Sequence, residues 1–319
     1  MLQGALYQIG VAKQTAKGTA ATNPTYAHGV MDGGFQLQPE QARVAVTSGT
    51  RVAPQVDRTK AIAKVSFTTR MFTKSTGLWL LGGLGSDSVT GAGPYTHTIT
   101  GANALPYLTV WAWLDSQVVS VRDFVVDSIE ISWDGSTPPS MKIDGAGTIA
   151  TFGATFTPTT DDTRGSYLLT AGGSFKVDTT TSTPVVAPIT KGSVKLSNNS
   201  GEVMVSGTVV PNEYFPGVRE WEIDATLVPT DVSDWRKIVT GASGGTTVTE
   251  TPQYGSSEFN FIDGTSSLKI ATPRTAFAAD FPNAIAGGGP ALVELSGLTV
   301  LPSSGAELTH TLINGIATY

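Results

Sequence analysis

The sequence has no cysteine and, in 319 residues, only three histidines, His28, His97 and His310. The first absence excludes disulfide frameworks, thiolate catalysis and cysteine-ligated zinc or iron–sulfur sites. The wide spacing of the histidines leaves little for a histidine-rich metal centre. Charge is scarce as well: Asp, Glu, Lys and Arg make up 14% of the chain, against roughly 25% in an average soluble protein. So low a fraction excludes a highly charged disordered chain and implies surface that is covered by something other than water. A net charge of −6 and a pI near 5.1 argue against a nucleic-acid-binding protein of the usual basic kind. No apolar run reaches the length of about 18 residues that marks a membrane span. Met1–Val11 lacks the basic stretch and apolar core of a signal peptide, so none is expected.

What the sequence does have is glycine (36), proline (18) and short runs of alternating apolar and polar residues. Ile129-Glu130-Ile131-Ser132-Trp133 and Phe259-Asn260-Phe261 alternate as half-buried strands do. Val44-Ala45-Val46-Thr47 and Val203-Met204-Val205-Ser206 are short β-type runs, and Asp134-Gly135 and Asp263-Gly264 supply turns. The expected class is all-β, with antiparallel sheets packed as sandwiches and one short helix per half. The helices are expected over Ser75–Leu84, anchored by Leu78 and Trp79, and over Thr230–Thr240, anchored by Val232 and Trp235. The second has Thr230 as its N-cap, acids in its first turn and Gly241 as its stop. The first is weakened by Gly77, Gly82 and Gly83, each costing about 1 kcal/mol relative to alanine.

A repeat organises the chain. Gly33–Leu37 parallels Gly192–Leu196 at an offset of 159, and Trp79 parallels Trp235 at 156. The strand Val65–Met71 matches Trp221–Leu227, Val44-x-Val46 matches Val203-x-Val205, and Gly147–Phe152 matches Asn314–Tyr319. Two domains follow, residues 1–157 and 167–319, joined by a linker over residues 158–166. Charge differs between the halves: residues 1–160 carry 11 Lys+Arg and 10 Asp+Glu, whereas residues 161–319 carry 9 and 16.

No catalytic constellation emerges, and the chain does not read as an enzyme. Gly145-Ala146-Gly147 fits a loose dinucleotide pattern, but the residues that follow continue as strand, so these are read as strand glycines. His97 and His310 lie in threonine-rich strands, where satisfied strand polars outweigh a metal pair. Asp161-Asp162 lacks the surrounding ligands of a calcium loop. Glu220 and Glu222 share a strand face without base, orienter or oxyanion donors. Trp111 and Trp113 alternate on one strand and offer a sugar-stacking face, the basis of an alternative reading as a carbohydrate-binding or adhesive β-sandwich.

Several segments together resemble the major tail tube proteins of long-tailed (siphovirus-type) bacteriophages. They are Ile9–Thr15 with Lys17–Thr22, the helix Gly77–Gly85 ending in Leu-Gly, and Tyr95–Ile99 followed by Leu105–Val110. The resemblance implies a structural virion protein whose sheets join around a channel into a closed β-barrel ring. The rings stack into the tube that conducts viral DNA. Two such domains in one chain imply a homotrimer of pseudo-sixfold symmetry, with a homohexamer as the alternative. It implies no cofactor, contacts with tape-measure and tail terminator proteins, and a place in the virion tail after assembly in the bacterial cytoplasm. An acidic lumen would repel phosphate and let DNA slide. The long loops Thr47–Ala61 and Ser206–Arg219 are the expected contacts between rings, through Arg51, Asp57, Arg58 and Lys60 and through Asn212, Glu213, Tyr214 and Arg219.

Overall fold

Alternation sets the backbone. In the computed structural model, Trp221, Ile223 and Ala225 are buried while Glu220, Glu222 and Asp224 between them face outward. Each fully buried aliphatic side chain of this kind contributes about 1.5–3 kcal/mol. The structure describes residues 7–44, 55–114, 117–135, 137–154, 164–179, 183–228, 233–281 and 292–319.

The first half runs β1 (Gln8–Lys13), β2 (Tyr26–Gly29), β3 (Asp32–Val44), β4 (Gln55–Arg70), α1 (Ser75–Leu84), β5 (Gly85–Thr90), β6 (Tyr95–Gly101), β7 (Leu108–Leu114), β8 (Gln117–Asp134), β9 (Ser140–Gly147) and β10 (Ile149–Phe152). The second runs β11 (Leu169–Asp178), β12 (Val185–Val186), β13 (Ile189–Ser197), β14 (Gly201–Val203), β15 (Glu213–Phe215), β16 (Glu220–Leu227), α2 (Ser233–Thr240), β17 (Tyr254–Asp263), β18 (Ser266–Ala279), β19 (Val293–Thr299) and β20 (Thr309–Asn314).

All these pairings are antiparallel, and one pattern occurs twice. The long strand β8 pairs with β7 and β10 through its first part and with β9 through its second, and β4 bridges β9 to β3. The long strand β18 pairs likewise with β17, β20 and β19, and β16 bridges β19 to β13. The two four-strand orders, β3-β4-β9-β8 and β13-β16-β19-β18, meet where Ser128–Asp134 of β8 pairs with Lys191–Ser197 of β13. The ladders thus form one large antiparallel sheet, and among the described residues it closes no barrel. Two hairpins stand outside the pattern: β5–β6 pairs with β20, and β14–β15 forms its own small sheet.

Helix α1 spans the expected residues and is buried along its whole length. Its glycines are explained by close approach: a Cβ on Gly83 would press on Ile129 and Leu196, and one on Gly82 on Leu108. Packing onto the sheet outweighs their poor helix propensity. Helix α2 is described over Ser233–Thr240; the expected N-cap Thr230 and the expected anchor Val232 lie outside the described residues, while Trp235 sits on the helix with its ring edge-on to Phe281 at 4.9 Å. The Gly145-x-Gly147 pair lies in β9, and a Cβ on Gly145 would meet the Phe124 ring and the Val125 carbonyl. A backbone atom cannot swing aside as a side chain can. Gly145→Ala is therefore expected to cost about 1–3 kcal/mol through overpacking, read as a lower urea midpoint with an unchanged m-value.

Candidate assembly interface

The β8–β13 seam is a completed strand junction. Ile129 lies opposite Leu196 and Ile131 opposite Val194; all four side chains are buried, and Ile129 and Leu196 pack against Gly83 of α1. On the other face Glu130 lies opposite Lys195 and Asp134 opposite Lys191, opposite charges that favour this register. A bulge between Val126 and Ser128 leaves Asp127 unpaired in the β8–β9 ladder. Its carboxylate accepts the Ser200 N–H at 2.7 Å, its carbonyl the Asn198 N–H. The buried Asn198 amide donates to Gly83 O and Val126 O at 2.9 and 3.0 Å, tying the seam to the helix.

The ladders give each seam residue a counterpart at an open edge. Phe35 faces Val65, which faces Gly145; Val194 faces Ile223, which faces Gly297. Phe35 and Leu37 on β3 therefore occupy the places of Val194 and Leu196. Likewise Val126 faces Gly145 and Phe277 faces Gly297. With no bulge in this stretch of the β18–β19 ladder, Ala279 takes the place of Ile129, and Phe281, two residues past the end of β18, corresponds to Ile131 when the register is carried on. The counterparts differ in burial: Leu196 is 1% exposed and Leu37 39%, Ile131 1% and Phe281 60%.

Both edges are occupied by side chains of the same chain. The Phe35 N–H, pointing away from β4, donates to the Tyr7 hydroxyl at 2.7 Å. Burial raises the Tyr7 phenol above its ordinary pKa, and the Phe35 hydrogen bond acts the other way. On β18 the Val300 N–H takes the Arg274 carbonyl on the β19 side. By alternation the Ala279 carbonyl points outward, where the Trp235 indole N–H donates to it at 3.2 Å.

The polar face of the sheet is grooved. Ser132, Lys191, Ser193, Asp224, Thr226, Glu294 and Ser296 are among the residues lining a groove of about 750 Å³. Burial, then the neighbouring Glu222, pushes the Asp224 carboxyl up. In the second half this face carries Glu220, Glu222, Asp224 and Glu294 against Lys191 and Lys195, so its balance is acidic.

The described parts of the segments expected to be inter-ring loops, 55–61 and 206–219, are not free loops. Arg51 lies outside the described residues. Asp57, Arg58 and Lys60 are not in a loop: β4 begins at Gln55, and its pairing with β3 carries the hairpin out to Val44. Asp57 and Arg58 are exposed on that arm, while Lys60 is bonded to Glu202. In the second segment the Asn212 N–H donates to Val203 O, and Glu213 accepts from the Tyr107 hydroxyl at 2.8 Å and pairs with Lys17 at 2.9 Å. Lys17, with Tyr107, holds the Glu213 carboxyl below its usual range. Tyr214 is buried with Ile62, Leu105 and Val125, and Arg219 donates to Ala102 O and pairs with Glu307. This segment is folded onto its own first half.

The remaining candidates separate. Trp111 is 2% exposed in a cluster with Ala12, Ala27 and Val118, so it offers no sugar-stacking face. His97 and His310 stand on adjacent strands but face different partners: His97 lies 2.8 Å from both Asp87 and Ile316 O, and His310 lies against Trp221. No group of three or more potential metal ligands occurs among the described residues. Glu222 pairs with Lys195. Sequence reasoning missed Tyr7, for which a lone tyrosine near the start gives no signal. No helix among the described residues is long and apolar enough to cross a membrane. No family model matches this chain, and no curated protein matches it.

Proposed function

We propose that this chain is a structural subunit that joins copies of itself edge to edge into a ring, and that stacked rings form a viral tail tube through which DNA passes. One observation carries the reading: a four-strand order occurs twice, joined inside the chain by β8–β13, and the two corresponding edges, the outer side of β3 and the end of β18 past Ala276 on the side away from β19, carry no strand partner among the described residues. An open sheet edge favours pairing with another chain, and ring closure removes it. The two orders are read as tandem repeats, residues 1–157 and 167–319, so three chains supply six units. The groove on the polar face fits the inner wall, where its carboxylates would repel phosphate.

Electron microscopy of the concentrated protein, with native mass spectrometry, tests this. Hollow rings of three chains are expected. Rings of six chains would keep the conduit and remove the two-unit count. A monomer at every concentration, with no ring even when seeded by tail-tip complexes, defeats the reading.

A further inference from the structure

The two side chains seated on the open edges suggest how assembly is restrained. We infer that Tyr7 and Trp235 are displaceable caps, holding on β3 and β18 the hydrogen-bonding places that a second copy takes when the two edges pair. The inference rests on the assembly reading above and adds to it a register and a control.

The register follows from the internal seam. Val194 lies opposite Ile131 and Leu196 opposite Ile129. Their counterparts place Phe35 of one copy opposite Phe281 of the next, and Leu37 opposite Ala279. These are the positions where the caps sit. Tyr7 takes the Phe35 N–H, which in the seam would find the carbonyl of the neighbouring strand. Trp235 takes the Ala279 carbonyl, which would find the Leu37 N–H. Tyr7 reaches its place because Gly34 has no side chain there: a Cβ on Gly34 would collide with the phenol ring. One cap covers a donor and the other an acceptor, so each edge is blunted at a point the partner must use. Natural sheets protect edges in comparable ways against premature pairing.

Tyr7→Phe keeps the ring and loses the hydroxyl, and Trp235→Phe keeps a ring against Phe281 and loses the N–H. A single net hydrogen bond separates each from the parent, so assembly by light scattering is expected to begin about two- to tenfold sooner, and sooner still in the double variant. Circular dichroism and the urea midpoint check that the fold is intact. The absence of native cysteine makes the register directly readable. Leu37→Cys and Ala279→Cys, prepared as separate chains, are expected to form a mixed disulfide on mild oxidation, since opposed strand residues meet the geometry a disulfide needs. Folded variants that assemble no sooner than the parent overturn the caps while the seam stands. Cross-links only from pairs displaced by one or two residues overturn the register. Absence of both assembly and cross-links in every variant removes the assembly reading itself.

Discussion

Taking the unassembled protein from pH 7.5 to pH 4 is expected to remove several kcal/mol of stability, chiefly through two buried imidazoles. Burial lowers the pKa of His28 to about 4 and that of His310 to about 3. In the unfolded chain both titrate near 6.5. Between pH 6.5 and those lower values the unfolded state binds more protons than the folded one. The stability contributed by the neutral rings is therefore whole above pH 6.5 and drains as pH falls through that window. At about 1.4 kcal/mol per pKa unit, each ring accounts for something on the order of 3 kcal/mol by the acid end, against a total stability of about 5–15 kcal/mol for a typical domain.

The Trp79 hydrogen bond to His28 gives the same sign, while the Gly29 carbonyl acts the other way and is outweighed by burial. The Trp79 indole can only donate, and its N–H points at His28 Nε2 from 3.3 Å. That nitrogen must carry a lone pair, which leaves the proton on Nδ1, where Gly29 O accepts at 3.3 Å. Protonating Nε2 would set two donors against each other inside the core. Glu258, held down by Lys176 and then Lys269, adds to the acid loss at lower pH, while Asp224, raised by burial, opposes it. The measurement is the urea midpoint at pH 7.5, 6, 5 and 4. A midpoint unchanged down to pH 4.5 would show that the rings do not titrate as described. His28→Gln is expected to start lower at pH 7.5 and to fall less steeply.

The parts of the fold that were legible in the sequence are those written in local periodicity. The alternation of Ile129–Trp133 gave the buried face of β8 directly, and Glu220 and Glu222, read as sharing a strand face, do stand together on the outer face of β16. The match of Gly33–Leu37 with Gly192–Leu196 coincides with the ladders, in which Phe35 and Val194 hold the same place. What was not legible depends on pairing at a distance. Val203-x-Val205 looked like the repeat counterpart of Val44-x-Val46, whose Val46 lies outside the described residues; Val44 closes the long β3–β4 hairpin, whereas Gly201–Val203 pairs with Glu213–Phe215 as a separate hairpin. The match of Gly147–Phe152 with Asn314–Tyr319 is displaced, because the strand that holds β10's place in the second half is β20, which ends at Asn314. Asp57–Lys60 looked like loop because its polar residues hide a strand that is solvated on both faces. The edge caps are single hydrogen bonds between residues far apart in sequence, and no period announces them.

Leu37→Pro and Leu196→Pro are expected to give opposite outcomes, although the two residues hold the same place in their ladders. Proline lacks the N–H that a ladder needs and is tolerated on edge strands. At Leu37 the N–H shares the outward direction of Phe35 and bonds no strand among the described residues, so the variant is expected to fold, with a urea midpoint near the parent's. It should fail to assemble, because the Ala279 carbonyl of the next copy would lose its donor. At Leu196 the N–H faces β8 inside the seam and the side chain is buried under Gly83. Proline there removes a central ladder bond and opens the packing beneath α1, a loss of about 3 kcal/mol or more. That variant is expected to be largely unfolded or insoluble. A Leu37→Pro chain that still built tubes would take β3 out of the interface, whereas a well-folded Leu196→Pro chain would mean that the seam contributes little to the fold. The contrast separates the two uses of one strand position: in the second half it holds the chain together, and in the first it is kept for the neighbour.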